Sequence, residues 1–511
     1  MKPSIELFKL IKSLSKSEKR FFKLSSSLQS GDKNYLKIFD FIEKQNEYNE
    51  EKLKVEFSKE IFIKHLPSQK NHLYKLILKS LRSFHSEESV ISILKQEIKN
   101  IEILYNKALY KECEKFVSRA KELAKSYEKF YYLSELISWE KKLLEESFDS
   151  NVFSNQMDNL VMEEELVISQ LRNLAEYQII YSKINSIFRT GGFTRNKEER
   201  EAVEKIADYH LIKGKNTAIS TRAASICYYI KGLCAATNRN YSDSFQFFNK
   251  TREILDNNPK IKEDSAQRYL LTMSHLLRCY IDSRDFINAE LMIKDMRFLR
   301  SKKGFNSMDI QVRLFSNTYS QELTLLHTKG DFQKSVDLIG TIEDLQIQYG
   351  EKINKEQEII LTYKKAYSYF GIANFKKSLF YVNNLLNDNE QNLRQDIYSF
   401  LRLFNVIIHF ELKNFEFLEY LIKSTNRYLN KQTRTFEAES ICINYMKKIA
   451  KTNSDSNVLF IELKRDLSKV LINQNESVLL EYFNLIAWVD SKINKTTFNH
   501  EVKLHSGTVI Q

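Results

Sequence analysis

The chain has 511 residues, a formal net charge of +12, 42% apolar and 28% charged residues. Only 11 Gly and 3 Pro interrupt it, too few for the turns of a sheet protein this long, so helix is predicted nearly throughout. Five scattered cysteines (Cys113, Cys227, Cys234, Cys279 and Cys442), odd in number and without CxxC spacing, argue against a disulfide framework or a cysteine zinc site. No run approaches the roughly 20 apolar residues of a bilayer-spanning helix. Glu6, Lys9 and Lys12 break the apolar residues at the start. The expected setting is therefore cytoplasmic, without a secretory leader or a membrane partner.

Residues 1–88 are expected to form a basic helical domain. Residues 1–85 carry 18 Lys/Arg against 10 Asp/Glu, most of the chain's excess charge. Ser15-Lys16-Ser17-Glu18 reads as a capping box that opens a helix bearing Phe21 and Phe22. Asn49 is placed to cap a helix holding Leu53, Val55 and Phe57, and Ser68 after Pro67 to cap the last one. On that last helix Leu73, Ile77, Leu81 and Phe84 share one face, and Lys75, Lys79 and Arg82 the opposite one. A face of this kind suits a nucleic-acid partner in the major groove, or only solvent on a capping bundle. The alternative is a compositional bias, rich in Lys, Asn, Ile, Phe and Tyr, whose lysines raise the charge with no function attached. The stretch from Lys59 to Pro67 exceeds the roughly 3–4-residue turn of a helix-turn-helix and reads as a loop or a small wing.

Residues 89–220 read as divergent helical repeats. A turn at Ala108-Leu109-Tyr110 is followed by Cys113, Val117 and Ala120. Long helices are predicted over 131–148, 155–189 and 197–212, interrupted at Thr190-Gly191-Gly192-Phe193-Thr194 and Gly214-Lys215-Asn216. Over 221–455 one pattern recurs: Arg239-Asn240-Tyr241, Arg284-Asp285-Phe286, Gly330-Asp331-Phe332, Ala373-Asn374-Phe375 and Lys413-Asn414-Phe415. The aromatics lie 45, 46, 43 and 40 residues apart, a period that marks stacked repeats. Three residues after each aromatic stands Ser244, Ala289, Ser335, Ser378 or Leu418, and four further on Phe248, Ile293, Ile339, Val382 or Ile422. Nine residues before it stands Gly232, Leu277, Leu323, Ala366 or Val406. Residues 456–495 are expected to cap the array, with a closing helix over 477–494. Residues 496–511 are expected to be a tail without helical periodicity.

This arrangement resembles the tetratricopeptide repeat. It matches best from Tyr228-Tyr229-Ile230-Lys231-Gly232 through Phe248 and at Gly330-Asp331-Phe332. The likeness covers about 90–455, and 220–430 most strongly. It implies an all-α fold, a right-handed α-solenoid of helical hairpins behind the N-terminal helical domain, with each turn aromatic locking its hairpin. The family unit is about 34 residues, so each unit here is longer by about 6 to 12. Leu418 stands where a small residue is usual, and the family's end-of-repeat proline is missing, apart from a displaced Pro259.

In that family, first helices line a concave groove that contacts peptides or partner helices. Carried over position by position, the groove residues are Ser274, Arg278 and Asp282, then Gln321, Thr324 and His327, then Tyr363, Lys364 and Tyr367. The resemblance implies a protein or peptide partner and no cofactor. The chain also resembles Lys-rich-headed repeat proteins common in Bacteroidota, which implies no activity. Its order of head then repeats resembles bacterial regulators that join a helix-turn-helix to such repeats, which implies the alternative of a peptide-sensing transcription regulator.

Catalytic motifs are not found. There is no HExxH, GxSxG or GxGxxG, and Gly214-Lys215-Asn216-Thr217 lacks the upstream glycine of a phosphate loop. His500 and His505, beside Glu501, are five apart, one too many for a shared helical face. His275, His327 and His409 fall in first helices as packing or groove residues. The expectation is a scaffold or adaptor that is not an enzyme and holds no metal.

Overall fold

The computed structural model describes residues 5–27, 33–146, 153–189, 194, 197–388, 393–431, 436–451, 456–473 and 476–507. Among them every regular element is helical and no strand occurs. No described helix is long and apolar enough to cross a membrane. The chain divides into two compact units, Met1–Glu165 and Leu166–Gln511, so the boundary expected at 88 falls inside the first. The break expected at Thr190-Gly191-Gly192-Phe193 lies outside the described residues.

The first unit opens with α1 (Glu6–Ser13), α2 (Lys16–Ser27), α3 (Asn34–Lys44), α4 (Glu50–Glu56) and α5 (Leu66–Phe84). Leu7, Phe22, Ile38, Phe39, Leu73 and Ile77 meet in one core. The capping box is present: Ser15 N donates to Glu18 Oε2 at 2.6 Å and Glu18 N to Ser15 Oγ at 3.2 Å. Asn49 caps α4 by accepting from Lys52 N at 2.9 Å. The stretch expected to be a loop or wing is instead a 3-10 turn, Ile61–His65, running straight into α5. Phe62 and Leu66 are buried there, and drawing both into the core coils the backbone between them. Ser68 consequently lies inside the first turn and not at the cap, and Pro67 sits where its missing N–H is harmless. Next come α6 (Val90–Asn106), α7 (Tyr110–Ser126) and α8 (Phe130–Glu146), with α7 packed on α6 and α8 on α7. Cys113, Val117 and Ala120 of α7 are fully buried. The long α9 (Phe153–Arg189) runs across the division between units.

In the second unit the helix expected over 197–212 splits at Asp208-Tyr209 into α10 (Lys197–Ala207) and α11 (His210–Lys213). Hairpins follow: α12 (Thr221–Thr237) with α13 (Tyr241–Asp256), then the short α14 (Pro259–Asp264), then α15 (Ala266–Asp282) with α16 (Phe286–Phe298). The series continues with α17 (Met308–Lys329) and α18 (Phe332–Tyr349), α19 (Lys355–Gly371) and α20 (Phe375–Leu386), α21 (Gln395–Glu411) and α22 (Phe415–Lys431), and α23 (Glu437–Ile449) and α24 (Asn457–Val470). From α15 onward each first helix packs on its own partner and on the next first helix, and each second helix on the next first helix.

The recurring tripeptide is a backbone device. Its first residue is left-handed in every turn: Arg239 (φ 60°), Arg284 (φ 60°), Gly330 (φ 76°), Ala373 (φ 59°) and Lys413 (φ 58°). Ala108 (φ 56°) and Glu128 (φ 48°) repeat it in the first unit. In each repeat turn the next N–H reaches back five residues, as Asn240 N does to Ala235 O (2.9 Å) and Asp331 N to Leu326 O (2.8 Å), closing the preceding helix. The middle residue then caps the following helix in three turns: Asn240 accepts from Asp243 N, Asp285 from Asn288 N and Asn374 from Lys377 N, all at 3.2 Å.

The aromatic is the least uniform member. Phe332 is fully buried, Phe286 and Phe375 are half-buried, and Tyr241 and Phe415 are exposed, so the aromatics do not lock every hairpin. The aligned small and aliphatic positions carry the packing: Ser244, Ala289, Ser335, Ser378 and Leu418 are all buried, as are the five positions four residues further on. At the closest crossings a Cβ on Gly232 would lie 2.7 Å from the Phe248 ring, and one on Gly371 would strike the Phe332 ring.

Two expectations about the C-terminus are corrected. Residues 477–494 are not one helix but a 3-10 turn, then α25 (Leu479–Tyr482) and α26 (Leu485–Ile493), parted by an extended Phe483 (φ −156°, ψ 135°). The expected tail contains α27 (Phe498–Ser506), capped by Thr497 and burying Phe498 and Val502. Burial of those side chains decides its state, not a long amphipathic period.

Left-handed non-glycine residues are strained by about 1–2 kcal/mol, partly offset because glycine has more freedom to lose on folding. Arg284 and Lys413 are exposed, so Arg284→Gly and Lys413→Gly should each stabilise the protein by about 0.5–1 kcal/mol, read as a higher urea midpoint.

Candidate partner-binding groove

The nine expected groove residues lie on α15, α17 and α19, consecutive first helices that pack side by side. On α15, Arg278 pairs with Asp282 (Nε to Oδ2, 3.0 Å) and its Nη2 reaches Glu481. Ser274 is buried beside this pair in sequence, its Oγ without a partner, and Gln321 Oε1 on α17 is likewise buried and unbonded. The Lys364 ammonium on α19 donates to Ser320 O (2.6 Å), Ser320 Oγ (2.8 Å) and Thr324 Oγ1, tying α19 to α17. Burial, with Arg278 and Arg394 nearby, holds this amine well below the usual lysine range.

His327 is buried between Phe332 and Tyr367, with centroids at 5.5 and 4.7 Å. The Ser368 hydroxyl donates to Lys364 O (2.9 Å), so His327 Nε2 is the donor in its 2.8 Å bond to Ser368 Oγ. Burial and the Lys364 charge push this imidazole well below its ordinary value, leaving it neutral. His275, stacked on Phe248 at 4.5 Å and bonded to Tyr229 OH at 3.1 Å, is pushed by burial down to about 4. His409 accepts from Asn414 Nδ2 at 3.2 Å and is lowered by burial as well. All three act in packing.

The remaining groove residues hold a segment the sequence did not place there. Tyr363 OH donates to Tyr482 O, and Tyr367 OH accepts from Asn484 N at 3.2 Å, so two tyrosines grip the main chain on either side of Phe483. The Phe483 ring sits in a cage of Tyr367, Phe370 and Phe404, with centroids at 5.4, 5.3 and 5.2 Å, and stacks on Phe498 at 5.2 Å. Tyr482 OH donates to Asp396 (2.7 Å), which a bidentate Arg394 fixes at 2.9 and 2.6 Å. Arg239 donates to Ser477 Oγ at 2.6 Å. Beyond the groove, Trp488 Nε1 donates to Glu411 at 2.7 Å. Of the nine carried-over residues, Arg278, Tyr363 and Tyr367 thus contact the chain's own residues 481–484, and the residues the sequence did not single out are Glu481, Tyr482 and Phe483.

Glu501 and His505, four apart on α27, meet Asp490 of α26, their ligand-type atoms within 4.8 Å of one another. All three have internal partners. His505 Nε2 bonds Asp490 Oδ2 (3.0 Å) and Lys464 pairs with Asp490 Oδ1 (2.7 Å). Asn494 and Thr496 donate to Glu501 Oε1 at 3.1 and 2.5 Å. The cluster fastens α27 to α26.

In the first unit, Lys75, Lys79 and Arg82 are exposed along α5, and among the described residues no ion pair involves them. By contrast Lys70 of the same helix is buried against Tyr48 OH (2.8 Å) and Glu50 (2.7 Å), and on α2 Lys23 pairs with Asp40 (2.8 Å) and Glu43 (2.9 Å). No protein-family model matches the chain, and no curated protein is significantly similar to it.

Histidines kept neutral make stability depend on pH. In the unfolded chain they titrate near 6.5, while folded His275 resists protonation down to about 4. As pH falls below 6.5 the unfolded state takes up protons the folded state refuses, so stability drops, by up to about 1.4 kcal/mol per pH unit for each such group. The urea midpoint should fall between pH 7 and pH 5, and the stability gap between wild type and His275→Gln should narrow over that interval.

Proposed function

We propose that this protein is a non-enzymatic helical-repeat scaffold of the tetratricopeptide type. Its second unit is a right-handed α-solenoid that holds a protein or peptide partner along its first helices, in the cytoplasm and without a cofactor. The observation that carries the reading is that polypeptide already lies there: an extended residue is gripped by two tyrosine hydroxyls through its flanking main chain, with its ring in an aromatic cage. Main-chain bonds give affinity and pockets give selectivity, the usual division in peptide recognition. The first-helix to first-helix packing from α15 to α23 supports the solenoid. His327 and His409, both buried, and the partly buried His275, each spent on packing, favour binding over catalysis. Five unpaired thiols suit a reducing compartment.

Panning a random peptide library against the full chain should enrich sequences that Arg278→Glu binds at least about tenfold more weakly, since an interface Arg is a frequent anchor. No enrichment would overturn the reading.

A second reading, a peptide-sensing regulator whose first unit contacts nucleic acid, is favoured by the three unpaired cations on α5. Under it, the chain should retard duplex DNA at low salt, retention should fall steeply as salt rises, and Lys75→Glu with Lys79→Glu should abolish it.

A further inference from the structure

Resting on the groove reading above, we infer that residues 477–484 are a built-in pseudo-ligand, and that the groove's external partner is a peptide whose short helical turn carries an acidic residue two positions before an extended phenylalanine. The segment has the character of a bound peptide. Its regular structure amounts to a three-residue 3-10 turn and the four-residue α25, too short to persist alone. Its anchors come from four different elements: Arg239 on Ser477, Arg278 on Glu481, Tyr363 and Tyr367 on the main chain, and Asp396 on the Tyr482 hydroxyl.

The chemistry of the occupant reports that of the groove. Arg239, Arg278 and Arg394 stand along it, and the acidic Glu481 answers Arg278 directly. Phe483 fills the cage while Tyr482 turns its hydroxyl to Asp396, so the phenylalanine position is read by shape and the acid by charge. The Arg278–Glu481 pair is half-exposed at 31% and 26%, which places the latch at the rim, where it can be broken without opening the core.

The test uses the full chain in three forms: Glu481→Arg, Arg278→Glu, and both together, which restores opposite charges. Hydrogen exchange is read over Leu479–Ile493 and over α19. The binding probe is a fluorescein-labelled synthetic peptide with the sequence of residues 477–488. A pseudo-ligand predicts that Glu481→Arg speeds exchange over Leu479–Ile493 about tenfold while α19 is unchanged, because only the bound segment is released. The probe should then bind Glu481→Arg about tenfold more tightly than wild type, since removing an internal competitor raises apparent affinity. The double variant should return exchange toward wild type.

If exchange over the segment and α19 rises together, or neither changes, the segment is ordinary core and the inference falls. If library-selected peptides bind wild type and Glu481→Arg alike, the inference falls while the scaffold reading stands. If the segment loosens yet neither probe nor library peptide binds, both fall.

Discussion

The five hairpins from α12–α13 to α21–α22 depend on one constraint: a helix must end and the next begin within three residues. One left-handed residue does the turning, the N–H after it closes the old helix, and in three turns an Asn or Asp side chain opens the new one. Because this geometry recurs, aligned residues downstream land on the same face in each hairpin. That explains why Ser244, Ala289, Ser335, Ser378 and Leu418 are all buried although they differ in size. Only Gly330 meets the backbone requirement with glycine, so four turns retain a strained side-chain-bearing residue and rely on packing to hold it.

Side-by-side packing of first helices creates a surface, and the chain covers that surface itself. Tyr363, Tyr367 and Arg278 are anchors of the kind interfaces favour, and here they are satisfied from within. Satisfying the buried tyrosine hydroxyls with main chain avoids leaving polar groups unbonded beneath aromatic rings. On the proposed reading, that covered surface is the binding groove, and the question of what binds becomes one of what displaces residues 477–484.

Much of the fold was legible from local chemistry. The Asn/Asp-aromatic spacing located all five turns, the scarcity of Gly and Pro gave the helical class, and the capping signals at Ser15 and Asn49 were read correctly. At Phe483 the deciding contact is distant. Phe483 breaks a helix because a cage from α19 and α21 captures its ring, and no window around residue 483 contains Tyr367 or Phe404. The helix at 498–506 carries local signals, a Thr497 cap and Gly507 in the left-handed region, and Glu501 and His505 have the four-residue spacing of one helical face that His500 and His505 lack. The nine carried-over residues fall on α15, α17 and α19, while the segment that Tyr363 and Tyr367 hold has no periodic signature at all. The division at 165 lies inside α9, where composition does not change.

The bond from Arg239 to Ser477 spans 238 residues of chain, and that from Tyr363 to Tyr482 spans 119. A stack of hairpins can assemble in order as it leaves the ribosome, since each contacts only its neighbours. These long closures cannot. At about 5–20 residues per second, the tyrosine-lined surface is synthesised roughly 6 to 24 seconds before its cover exists. During that interval a newborn chain shows aromatic rings to its surroundings, so this surface is closed only once residues 477–484 are made, and a chain cut short upstream of them emerges sticky.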